Sequence, residues 1–116
     1  MKLFLASALL LLVSVLPAFA FPNMALILAS PGNFHHIHQT GVSNIGAIVQ
    51  GGVGNTSSLS QTGTGNTAAT GQGNSGNSVG VVQVGSGNTA AVVQSSSRDT
   101  AVIVQVGTGS SAVITQ

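Results

Sequence analysis

The chain has 116 residues, and only Lys2, Arg98 and Asp99 carry a formal charge. At 3% charged residues it lacks the solvated surface of an ordinary globular domain, where about 25% is usual. With 43% hydrophobic residues and a net charge of +1 it also fails the conditions for disorder, which are low hydrophobicity and high charge. The absence of cysteine excludes a disulfide framework and a thiolate zinc site. The absence of a basic surplus removes the phosphate-binding footprint that nucleic acid requires.

In chain order, Met1-Lys2 is a short positive start and Leu3 to Leu16 is an apolar run. Pro17-Ala18-Phe19-Ala20 closes it with small residues, which predicts a secretory signal peptide over residues 1–20. Pro17, Pro22 and Pro31 interrupt the longer helix that a membrane anchor would need. The mature chain, residues 21–116, then holds Arg98 and Asp99 and no net formal charge. Residues 21–32 (FPNMALILASPG) form a leader outside the repeats described next. It is read as an address for secretion, a disordered stretch, or a partial strand over one end of the fold.

From residue 33 onward one period governs the chain. Every glutamine falls in a single register of eleven: Gln39, Gln50, Gln61, Gln72, Gln83, Gln94, Gln105 and Gln116. A second register lies six residues earlier: Asn33, Asn44, Asn55, Asn66, Asn77 and Asn88, continued by Asp99 and Ser110. Eleven residues fit three helical turns, but the connectors reject a helix. Gly63 and Gly65, Gly85 and Gly87, and Gly107 and Gly109 would each place two glycines inside it, at about 1 kcal/mol apiece. The segments between are rich in β-branched residues and alternate with period two. One face carries Asn88-Ala90-Val92-Gln94 and the other Thr89-Ala91-Val93. The glycine pairs are turn residues.

These features predict an all-β fold: a two-sheet β-solenoid of four strand-arc-strand repeats at 33–54, 55–76, 77–98 and 99–116. In such a stack a side chain recurs at the strand spacing of roughly 4.8 Å. A buried amide without partners costs about 2–7 kcal/mol, whereas a stacked amide donates to one neighbour and accepts from the other. Two glutamine columns (39, 61, 83, 105 and 50, 72, 94, 116) and the matching asparagine columns are expected to set the register. A one-residue slip would turn every amide outward.

The segments Gln61-Thr-Gly-Thr-Gly-Asn66-Thr-Ala68-Ala-Thr-Gly-Gln72 and Gln83-Val-Gly-Ser-Gly-Asn88-Thr-Ala90-Ala-Val-Val-Gln94 resemble the curlin repeat, S-x5-Q-x-G-x-G-N-x-A-x3-Q. The resemblance runs over residues 33–116, with Asn33, Asn55, Asn77 and Asp99 standing where the motif opens on serine. It implies a secreted subunit of curli, the functional amyloid fibres of bacterial biofilms, acting in adhesion and cell aggregation. It also implies a partner curlin subunit, a nucleator and an outer-membrane secretion pore, with the fibre on the cell surface. The chain itself is then either the main subunit or the nucleating one.

The ends of the stack carry the expected function. Ser110–Gln116 has no charge, proline or cap, and Asn33–Gln39 bears no formal charge. Such edges pair most readily with another copy. The competing reading is a monomeric solenoid that binds ice or a polysaccharide through the outward columns Ile45-Thr67-Thr89-Ser111, Ala47-Ala69-Ala91-Val113 and Val49-Gly71-Val93-Thr115. Ile45 and Ser111 break the threonine column that ice binding favours.

Three side signals remain. His35, His36 and His38 cluster in the first segment, where His36 and His38 share an outward face; without cysteine or glutamate nearby they read as a polar strand, and no metal site is assigned. Asp99 is expected to pair with Arg98 at an exposed corner, or to act as a charged gatekeeper against stacking. With one aspartate, no glutamate and no mature lysine, catalysis, cofactors and a small-molecule substrate are not expected.

Overall fold

The computed structural model describes residues 22–116, so the signal peptide expected over residues 1–20 lies outside the described residues. The fold is a β-solenoid of two parallel sheets, built from nine strands. They are β1 (Met24–Ala29), β2 (Phe34–Val42), β3 (Ile45–Gln50), β4 (Thr56–Thr64), β5 (Thr67–Gln72), β6 (Ser78–Ser86), β7 (Thr89–Gln94), β8 (Thr100–Thr108) and β9 (Ser111–Thr115). The first sheet has the order β1-β3-β5-β7-β9 and the second β2-β4-β6-β8. Each strand from β2 onward crosses to the other sheet before the chain returns one rung higher, so four turns stack with a 22-residue spacing.

Register follows the sequence period. Gln39, Gln61, Gln83 and Gln105 lie side by side in the second sheet, and Gln50, Gln72 and Gln94 in the first. The period-two pattern sorts the faces. Ile48, Leu59, Ala68, Val79, Val81, Ala90, Val92, Ala101 and Ile103 form the buried core, with Ile37, Ala112 and Ile114 packed on it at the ends. Thr70 enters this core at an apolar position, and its hydroxyl is 2.8 Å from that of Ser57 in the opposite sheet. Two polar residues in one turn therefore satisfy each other.

The connectors are of two kinds, for a physical reason. After β2, β4, β6 and β8 they are mostly strand: these nine-residue strands run three residues past each glutamine before turning. Gly63 shows what this demands. A Cβ there would lie 2.0 Å from the Gly85 carbonyl oxygen of the next turn, and one at Gly85 would lie 1.8 Å from that of Gly107. All six predicted turn glycines, 63, 65, 85, 87, 107 and 109, have positive φ. The last position of each four-residue arc is left-handed throughout, and glycine holds it except at Ser43 (φ 58°) and Arg98 (φ 66°).

The leader is part of the stack. β1 pairs in register with β3, Met24 beside Ile45 and Leu26 beside Ala47, and adds a half-turn ahead of the four repeats. Asn23 begins it, ten residues before Asn33 rather than eleven, because Ser30-Pro31-Gly32 is an arc one residue short. That single missing residue takes β1 out of the eleven-residue phase.

A left-handed non-glycine residue costs about 1–2 kcal/mol, partly offset by the freer unfolded chain when glycine replaces it. Arg98→Gly is therefore expected to raise stability by about 0.5–1 kcal/mol in chemical denaturation of the freshly prepared chain. Gly63→Ala is expected to abolish the folded baseline in the same measurement.

Candidate functional site

Both glutamine columns form continuous hydrogen-bonded ladders, all donating in one direction. Gln39 Nε2 donates to Gln61 Oε1 at 2.8 Å, Gln61 to Gln83 at 2.9 Å, and Gln83 to Gln105 at 2.8 Å. In the other column Gln50 donates to Gln72 at 2.9 Å, Gln72 to Gln94 at 3.1 Å, and Gln94 to Gln116 at 2.9 Å. The second proton of the amide crosses the sandwich. Gln61 Nε2 reaches the Ile45 carbonyl at 2.9 Å, Gln50 that of Phe34 and Gln72 that of Thr56, each at 3.0 Å. Each such amide ties a turn to the next and one sheet to the other, so Gln61 is fully buried with both amide protons and its oxygen bonded.

The crossing amides also explain the small second residue of the first-sheet strands. A Cβ built at Gly46 lies 3.1 Å from Ile37 Cγ2 and 3.2 Å from Gln39 Nε2. Ala68, Ala90 and Ala112 hold the equivalent place. A larger residue would displace the ladder.

The asparagines act differently from the amide-to-amide columns expected of them. Their main partners are backbone groups of the arcs. Asn44 Oδ1 accepts the Asn66 N–H at 3.1 Å, and Asn66 Oδ1 that of Asn88 at 3.1 Å. On the other edge Asn33 Oδ1 accepts the Asn55 N–H and Asn55 Oδ1 that of Asn77, both at 2.9 Å. The Nδ2 group donates to the carbonyl four residues back and to the arc of the next turn: Asn55 to Gly51 and Asn74, Asn77 to Gly73 and Ser96. Among the described residues, asparagine side-chain amides meet one another only where Asn44 donates to Asn23 and Asn66 to Asn44, both at 3.1 Å. The shorter side chain reaches its own arc and the backbone of its counterpart a rung away, so glutamine laces the interior and asparagine staples the corners.

Two departures from the pattern leave a buried oxygen without a partner. Asp99 occupies the asparagine register, and its N–H donates to Asn77 Oδ1 at 2.9 Å. A carboxylate cannot donate to the carbonyl four residues back, and Asp99 Oδ2 is buried without a partner. The expected corner pair with Arg98 is thus not made through that oxygen; Arg98 points into solvent from its left-handed arc position. The other break is Ala29, which stands beside Gln50 where every later rung has glutamine. Gln50 Oε1 is left buried and without a donor.

Sequence reading by period alone did not single out Asn23, and it left the partial strand that β1 proves to be as one of three readings of residues 21–32. The signal was present as Asn23-x-Ala25-x-Ile27, the same asparagine, small and apolar order as Asn44-x-Gly46-x-Ile48 and Asn88-x-Ala90-x-Val92, one residue out of phase. Asn23 Oδ1 accepts the Asn44 N–H at 3.0 Å, as the phased asparagines do.

The histidines lie on the exposed first strand of the second sheet. His36 and His38 present parallel rings with centroids 6.5 Å apart, and His38 Nε2 is 3.3 Å from the Thr40 hydroxyl. Among the described residues no group of three His, Cys, Asp or Glu side chains converges.

The geometry defines a class, an all-β two-sheet solenoid whose sheets carry polar, one-directional amide ladders. No family model matches the chain, and no curated protein matches it.

Removing one ladder amide strands two others, at about 1–3 kcal/mol for each buried group left unpaired. Gln61→Ala is expected to lower the unfolding free energy by about 3 kcal/mol, and Ser60→Ala to leave it within about 0.5 kcal/mol. Ala29→Gln supplies the missing donor to Gln50 and is expected to raise it by about 1 kcal/mol. Urea titration of each variant reads all three.

Proposed function

We propose that this protein is a secreted structural subunit that assembles end to end into curli-like functional amyloid fibres, serving adhesion and cell aggregation. The observation that carries this reading is the complementarity of the two ends. Every ladder donates toward the C-terminal strands, so β8 and β9 present amide donors at Gln105 and Gln116 while β2 presents the Gln39 acceptor. Two N-terminal ends would set acceptor against acceptor; an N-terminal end on a C-terminal end continues the internal bond.

The backbone adds to the same preference. On either side of β9 the Ser110 carbonyl and the Gln116 N–H face β7. By the alternation of a parallel ladder, Ser111, Val113 and Thr115 then turn their N–H and carbonyl groups to the open edge. Among the described residues no strand covers that edge or the outer edge of β8. Charge, proline and bulges are the usual guards of such an edge, and β9 carries none of them. Gly107 keeps the same clearance: Gly41, Gly63 and Gly85 are each crowded by the next turn, whereas nothing lies within 4 Å of a Cβ at Gly107. A further rung would use that space.

Each added copy buries amides against amides and covers the exposed core ends at Ile37 and Ile114. Elongation is then templated addition driven by hydrogen bonding and apolar burial. It needs no catalytic group and no cofactor.

Residues 21–116 are expected to form thioflavin-positive fibres with a meridional reflection near ~4.8 Å. A chain that stays monomeric for days at high concentration would refute the reading. Val113→Pro removes an N–H that faces the open edge and spares the β7–β9 bonds. It is expected to keep the β circular-dichroism signal and to slow elongation from preformed seeds at least tenfold.

A further inference from the structure

We propose that successive copies in the fibre are related by a half-turn screw: β9 of one copy pairs with β2 of the next, and β8 pairs with β1. This rests on the end-to-end reading above and concerns the geometry of its junction.

The reason is parity. The described stack contains nine half-turns, five strands in the first sheet and four in the second. Stacking by translation alone would seat the next β1 on β9, leaving a one-strand gap between β8 and the next β2. Closing that gap would drive the next β1 into the place of β9. Rotation by 180° about the long axis removes the conflict, because it exchanges the sheets. A solenoid's two sheets run in opposite directions across the sandwich, so the rotated strands stay parallel to those they join. Five strands then meet four on one side and four meet five on the other, with an even spacing throughout.

The side chains fit this exchange, because both sheets use one order of asparagine, small, apolar and glutamine positions. Gln116 comes to face Gln39 and Ile114 to face Ile37, so the ladder from Gln50 to Gln116 continues without interruption from Gln39 to Gln105 of the next copy. On the other side Ile103 faces Ile27 and Ala101 faces Ala25. Asp99 faces Asn23. Inside the molecule, Asn66 places both its N–H and its Nδ2 on the preceding asparagine oxygen at 3.1 Å. Asn23 of the next copy stands in the same relation to Asp99, whose Oδ2 is buried and unpartnered in the single chain. Two amide donors arriving at a carboxylate make charge-assisted bonds, which are shorter and stronger than neutral ones. The aspartate in the asparagine register thus becomes an acceptor for the junction. In the translated arrangement it faces an empty rung.

The short Ser30-Pro31-Gly32 arc falls above the arc at 106–109, where Gly107 has open space. Ala29 falls on Gln105, so each glutamine column runs for eight amides across two copies and then breaks once.

Engineered cysteines distinguish the two geometries, since the chain has none of its own. Neighbouring parallel strands hold paired Cα atoms at about 4.8 Å, within the range a disulfide spans. In preformed fibres, Ser111→Cys with Phe34→Cys is expected to oxidise into covalent multimers, and Ser111→Cys with Met24→Cys to remain monomeric on a non-reducing gel. All three positions are exposed. Linking through positions 111 and 24, or through neither pair in well-formed fibres, overturns the half-turn junction and leaves end-to-end assembly standing. Absence of fibres overturns both. Helical reconstruction of unmodified fibres gives an independent reading. The screw predicts a 180° rotation with a rise of about 22 Å per copy, four and a half strand spacings; translation predicts about 24 Å and no half-turn.

Discussion

A buried primary amide has to find partners at one fixed distance, and the whole structure depends on meeting that condition. The interior of this protein is crossed by glutamines that no globular core would tolerate singly. They are tolerated because each meets its own copy one strand spacing away, with the second proton taken by a carbonyl of the facing sheet. That requirement sets strand register, the distance between sheets and the small second residue of the first-sheet strands. A parallel stack with identical side chains in line is the arrangement that satisfies all of these together.

Glutamine and asparagine divide the work by length. The longer side chain spans the sandwich and the rung; the shorter one reaches its own arc and the backbone of the next. This division explains how a chain with only three charged residues acquires a defined fold without disulfides or a large apolar core. Its polar groups hold the structure, and apolar residues such as Ile48, Leu59, Val81 and Val92 fill the space they enclose.

A ladder that satisfies each rung by means of the next has unfinished ends, and here the ends differ. One offers donors and the other acceptors, which gives a growing stack a direction. The same reasoning makes the breaks in the pattern informative. Ala29 leaves an unpaired oxygen inside the molecule, whereas Asp99 leaves one at an end, where another rung is able to use it. The half-turn ahead of the repeats then matters more than its six residues suggest. It makes the number of described strands odd, and in the proposed fibre this changes which surfaces of two copies meet.

By itself, the sequence determined the β class, the 22-residue turn, the inward face and the glutamine columns. All of these follow from local alternation and from one residue type recurring at a constant interval, and neither needs knowledge of distant contacts. The inclusion of β1 was decided by tertiary structure. The arc at Ser30-Pro31-Gly32 is one residue short, so Asn23 leaves the register, and only pairing with β3 restores it. Tertiary structure likewise assigned the asparagines to the arcs and left Asp99 Oδ2 without a partner. The order of residues states which amides share a column; the reach of each side chain, the path of the backbone at the corners and the neighbour across the sandwich decide which atoms they bind.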